Sequence, residues 1–221
     1  MKITSNSTYV FVVMLFTAFS SFLFSQNVYD FEQTIDGWVV ETDSSSMGAV
    51  SVEQSKLFKY TGEKSLKVAC NMQKADTTKT KGEIRVDLEV DPPNNSIQAP
   101  INLLNRTVIA YVRFPKEFQG ESHSPNGMQV FAKTIIEDTT DQGDDKWPGL
   151  YSKWINATGK QENWIKITLT VKDNKLKGQH RDNGFDPTNV SIIGIKFALG
   201  DKASMNCKFK GDIFVDHVTW E

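Results

Sequence analysis

Several common chemistries have little to work with in this chain. It holds 2 Cys and 3 His in 221 residues, and their spacing is not that of a metal site. No G-x-S-x-G or H-E-x-x-H motif occurs, so neither a nucleophile elbow nor a zinc-hydrolase helix is written in it. There is no basic stripe and the formal net charge is −2, which excludes the usual electrostatic footprint of a nucleic-acid binder. After the first residues there is no sustained helical period, no internal repeat, no low-complexity linker and no sign of a second domain. The one long apolar run, 10–24, falls short of the ~20 residues that a membrane span needs.

That run belongs to a leader. Lys2, the apolar stretch and the small residues before a cut after Ser25 have the order of a secretory signal peptide over 1–25, and no Cys follows to accept a lipid. Residues 26–221 suit one all-β domain and predict a soluble, monomeric protein that is secreted or held at the cell surface. An exported chain is permitted a disulfide. Cys70 and Cys207 lie far apart in sequence and are either a staple or two buried thiols.

From Val28 onward, short segments of alternating apolar and polar residues are separated by Gly, Pro, Asn and Asp clusters. That spacing predicts an all-β fold, a two-sheet antiparallel sandwich. The clearest strands are 65–70, 84–90, 107–114, 128–136, 164–171, 192–199 and 213–220. Turns fall at 91–93, 124–127, 182–184 and 200–201. Alternation then assigns faces. Ile84, Val86, Leu88 and Val90 point one way. Val108, Ala110, Val112 and Phe114 point in, which turns Tyr111 and Arg113 out. Ile193, Ile195, Phe197 and Leu199 point in and Lys196 out. With Met128, Val130, Ala132 and Thr134 inside, Gln129, Phe131 and Lys133 face outward.

The strongest functional signal lies in 127–171, two strands joined by a long polar segment that carries Trp147, Tyr151 and Trp154. A segment rich in Asp, Lys, Gly and Asn has too little apolar neighbourhood to cover three rings, so it predicts a binding surface. A flat ring beside hydrogen-bonding groups suits the apolar face and hydroxyl rim of a sugar. Full burial of one large side chain is worth ~1.5–3 kcal/mol but does not tell glucose from mannose. Directed hydrogen bonds must do that, since a hydroxyl left unpaired in a dry site costs about 1–3 kcal/mol. Tyr111, Arg113, Gln129, Lys133 and Lys196 share an outward phase and are the candidates. Trp38 is core or platform, and Trp164 and Trp220 read as packing.

YDFE at 29–32, DGW at 36–38, TGEKSLKV at 61–68 and GDIFVDHVTW at 211–220 resemble the jelly-roll carbohydrate-binding modules appended to glycanases. MQVFAKT, the aromatic loop and ENWIKITLTV are similar to the mannan- and β-glucan-binding members. The resemblance covers essentially all of 26–221. It implies a jelly-roll sandwich, a groove across one sheet for a polysaccharide or oligosaccharide, and a structural Ca2+ ion. The ion would be held by Glu32, by a backbone carbonyl of the turn at 62–64 (Lys64), and by Asp216, the oxygen ligands that a hard cation prefers.

A sandwich also hosts glycanases and lyases. Glycoside hydrolysis needs two carboxylates across a cleft. GEIRVDLEV departs from the E-x-D pattern of laminarinase-like strands, because Arg85 stands where the Asp belongs. The reading is therefore a non-catalytic carbohydrate-binding module. The alternatives are a glycan-active enzyme, a surface adhesion module that binds protein, and a binder of acidic polysaccharide selected by Arg113, Lys133 and Lys196.

Overall fold

The computed structural model describes residues 28–43, 45–93, 99–136 and 146–221; the expected leader lies outside them. Two antiparallel sheets face each other. The first contains β1 (Val28–Tyr29), β3 (Ala49–Ser55), β4 (Ser65–Gln73), β6 (Thr107–Arg113), β12 (Ile165–Thr170) and β15 (Lys208–Trp220). Its order is β12-β6-β15-β4-β3, with β1 paired to the end of β15. The second contains β2 (Val39–Val40), β5 (Lys81–Asp87), β9 (Gly127–Lys133), β10 (Gly149–Tyr151), β11 (Ile155–Asn156), β13 (His180–Arg181) and β14 (Ile192–Ala198). Its order is β13-β10-β9-β14-β5-β2, with β11 also on β9. A small hairpin, β7 (Gly120–Glu121) with β8 (Ser124–Pro125), completes the set.

The core lies between the sheets and follows the alternation closely. Val68 and Met72, Val108 and Val112, and Ile213 and Val215 come from the first sheet. They meet Ile84 and Val86, Met128 and Val130, and Ile193 and Ile195 from the second, all fully buried. No helix among the described residues is long and apolar enough to cross a membrane.

Three expectations are corrected. The strand begun at Ile84 ends at Asp87, where Asp91 N donates to the Asp87 carbonyl at 2.9 Å, and Val90 is 72% exposed. Leu88 stays buried, so the apolar face is one residue pair shorter than the alternation suggested. Trp38 is no platform: it is wholly buried, edge-on to Tyr29 at 5.8 Å and to Phe31 at 6.0 Å. The DGW turn, with Asp36 and Gly37 at positive φ, swings the ring inward. Cys70 and Cys207 are free thiols. Cys207 sits opposite Lys74, whose N–H donates to its carbonyl. Cys70 lies four residues back along the same strand line, roughly 13 Å at strand rise, beyond the ~7 Å that a disulfide spans. Burial pushes the Cys70 thiol pKa up.

Candidate glycan-binding groove

The outer face of the seven-stranded sheet is set by cross-strand register. Lys196 on β14 stands between Glu83 on β5 and Gln129 on β9. The next row runs Arg85, Gly194, Phe131, Tyr151 and His180 across β5, β14, β9, β10 and β13. Glycine in the middle of that row is a packing requirement. A Cβ at Gly194 would stand 2.2 Å from Cζ of Phe131, so the Phe131 ring lies over the bare backbone. Tyr151 covers it at 5.6 Å, and the Lys133 ammonium sits 4.7 Å from its centroid. Phe131 therefore points outward yet is fully buried. Gly127 does the same for Trp154, whose ring would lie 2.6 Å from a Cβ there.

The polar segment that carries the three aromatic residues is not a free loop. It doubles back along β9 as β10 and β11, and this lays Tyr151 and Trp154 on the sheet. Two adjoining cavities follow. One of about 600 Å³ lies between Trp154, Lys81 and Lys196 on one side and the β7-β8 tip and 198–201 on the other. The second, about 430 Å³, is bounded by Trp147, Tyr151, Arg85, Glu83, Lys133 and Glu41. Lys81 lines both, so the two cavities adjoin, Trp154 lining one and Trp147 the other. Trp147 is 40% exposed, with the Arg85 guanidinium 5.3 Å from its ring.

The floor is charged. Glu83 is buried and is approached by Lys133 at 3.4 Å and Lys81 at 3.8 Å. Arg85 pairs with Glu41 at 2.9 Å. Gln129 Nε2 donates to the Ser152 carbonyl at 2.7 Å. Desolvation holds the Lys196 pKa below the ordinary lysine range; Lys81 and Lys133 add to that, while Glu83 and Asp182 oppose it. Burial likewise raises the Tyr151 phenol.

Tyr111 and Arg113 are not in this groove. Both point outward as expected, but β6 belongs to the six-stranded sheet, so they lie on the opposite side of the sandwich. There the 56–64 segment covers them. Tyr60 stacks on Tyr111 at 3.6 Å, and the Arg113 guanidinium lies 3.7 Å over Phe58, which is edge-on to Phe214. Trp164, 6.1 Å from Tyr60, joins the same cluster. Trp220 is buried packing.

The residues expected to hold Ca2+ fasten that same segment by other means. Asp216 is fully buried; its Oδ2 accepts the N–H groups of Tyr60 (2.7 Å) and Thr61 (3.1 Å), and its Oδ1 accepts that of His217. Glu32 Oε1 accepts those of Glu63 and Lys64, and the Lys64 ammonium donates to the Glu32 carbonyl at 2.6 Å. The turn thus offers these carboxylates backbone N–H donors, and the Lys64 ammonium takes the Glu32 carbonyl. As placed, this donor set does not fit a cation, which needs converging oxygens.

The fold is that of the β-sandwich carbohydrate-binding modules. A structure determined to explain promiscuous specificity in that superfamily superposes with a TM-score of 0.53 at 18% identity, over 87% of this chain and 60% of that one. This chain therefore spans less than two thirds of that structure. A carbohydrate-binding module of Caldicellulosiruptor saccharolyticus in complex with mannohexaose gives 0.49 at 15% identity, over 86% and 93% of the two chains. A family 11 module of Clostridium thermocellum, in complex with a β-1,3-1,4-mixed-linked tetrasaccharide, gives 0.48 at 14%, over 88% and 94%. No protein-family model and no curated protein matches the chain.

Proposed function

We propose that the protein is a non-catalytic module that holds a β-linked polysaccharide chain along the outer face of its seven-stranded sheet. The observation that carries this reading is the pair of adjoining cavities, one lined by Trp154 and the other by Trp147, with hydrogen-bonding side chains in both linings. Rings seated on glycine backbone and strands locked in register need little reordering when a ligand arrives, which limits the entropy lost on binding. Glu83 and Glu41 are each held by cations instead of standing free across a cleft as an acid and base pair would. A β-mannan, glucomannan or β-glucan backbone suits a groove of this kind. Residues 1–25 as an export leader agree with a polymeric ligand met outside the cell.

Native affinity electrophoresis of the mature chain tests the reading. Gels would contain glucomannan, galactomannan, mixed-linkage β-glucan, xylan or alginate. Retardation by at least one β-linked polymer is expected, weakened about tenfold or more in Trp154→Ala, in line with the loss of ~1.5–3 kcal/mol of ring burial. Migration unchanged by every polymer would overturn the reading.

A further inference from the structure

The groove has an excess of positive charge at one place. Lys81, Lys133 and Lys196 converge on Glu83, three ammonium groups around one carboxylate. Lys81 and Lys133 lie within ion-pair distance of Glu83. Lys196 has no ion pair or hydrogen bond among the described residues, and its nearest aromatic neighbour is the Tyr151 ring, 5.6 Å away. It stands on the groove floor, at the wall of the larger cavity and beside the Gln129 amide. A half-buried ammonium that makes no direct ion pair and shares its neighbouring carboxylate with two other lysines is an unfavourable arrangement for a protein that has only to bind neutral sugar. An incoming anion would complete it.

We propose that the ligand carries an anionic sugar, a uronate or a sulfated ring, and that its charge is received by Lys196 with Lys81 beside it. This rests on the groove being a glycan site and names the class of glycan it takes. The larger cavity places the Trp154 ring and Lys196 on the same lining, so a sugar stacked on the ring presents a carboxylate or sulfate to the ammonium. The new pair is shielded from water by the groove walls, and the charge-assisted hydrogen bond is correspondingly strong. Glu83 is already engaged by Lys133, which keeps the remaining positive charge directed at the ligand.

The decisive comparison uses one backbone in three forms: a β-1,4-linked mannuronate hexasaccharide, the neutral β-mannan hexasaccharide obtained by reducing its carboxyl groups, and a sulfated β-mannan hexasaccharide. Titration calorimetry with the mature chain is expected to show the mannuronate or the sulfated form binding roughly tenfold or more tightly than the neutral form, with the advantage shrinking as NaCl is raised. Whichever anionic form binds better identifies the charged group. In Lys196→Met the preference for anionic over neutral ligand should collapse toward unity. Equal or tighter binding of the neutral form by the unaltered protein would overturn the proposal while leaving the groove as a glycan site. A preference that persists undiminished in Lys196→Met would overturn the role of Lys196. Absence of binding by all three, together with unretarded migration in the polysaccharide gels, would remove both this proposal and the glycan reading.

Discussion

Lys196 shows how one residue can be kept at the expense of stability. Burial and the like charges of Lys81 and Lys133 depress its pKa, against the pull of Glu83 and Asp182, and the Tyr151 ring packs nearby. Between its folded-state value and the ordinary lysine value of about 10.4, the unfolded chain binds more protons than the native one. Stability therefore rises with pH through that window and falls as pH drops through the folded-state pKa. Lys196→Met, which removes the charge and retains the stem, is expected to be more stable than the parent in urea at pH 7, with an advantage that narrows toward pH 10. A fixed difference at both pH values would count against the charge as its source. Gly194 is the complementary case. A Cβ there meets Phe131 at 2.2 Å and the Ile84 carbonyl at 2.5 Å, so Gly194→Ala should lose about 1–3 kcal/mol in urea melts through overpacking. It should also weaken polysaccharide retardation, because the displaced ring moves into the groove.

At the scale of elements, the 56–64 segment is held to the six-stranded sheet by carboxylates that accept backbone N–H groups. Asp216→Asn keeps the shape but turns an NH2 group toward one of those donors, and leaving buried donors unpaired costs about 1–3 kcal/mol. Its urea midpoint should fall accordingly, whereas excess chelator or added Ca2+ should leave the parent's thermal midpoint unchanged. A calcium-dependent rise would show that the turn reorganises to present its carbonyls. Most long elements were legible in the sequence because each has one apolar and one polar face. β3 was not, since an edge strand reading Ala-Val-Ser-Val-Glu-Gln-Ser is largely solvated and carries little alternation signal. β10, β11 and β13 were missed for a related reason. They are two or three residues long and exist because β9 and one another offer free edges, which no local pattern records.

At the scale of the whole molecule, alternation tells which side of a strand faces out, but it does not tell which sheet the strand joins. Gln129, Lys133 and Lys196 therefore share the outer side of the seven-stranded sheet with Tyr151, while Tyr111 and Arg113, with the same outward phase, belong to the other side of the sandwich. The two faces should respond independently: Tyr111→Ala is expected to leave polysaccharide retardation intact where Trp154→Ala weakens it. Equal loss in both variants would place the ligand elsewhere. Trp38→Ala should cost about 3–5 kcal/mol in urea melts, as deleting a buried ring does. The pairing of Val28 with Thr219 has a consequence for the order of events during synthesis. The first strand has no partner until β15 has been made, and pairing across such a separation is slow in any case. Because β15 also lies between β6 and β4, the middle of the six-stranded sheet stays unfilled until that strand is made, and the sandwich closes late.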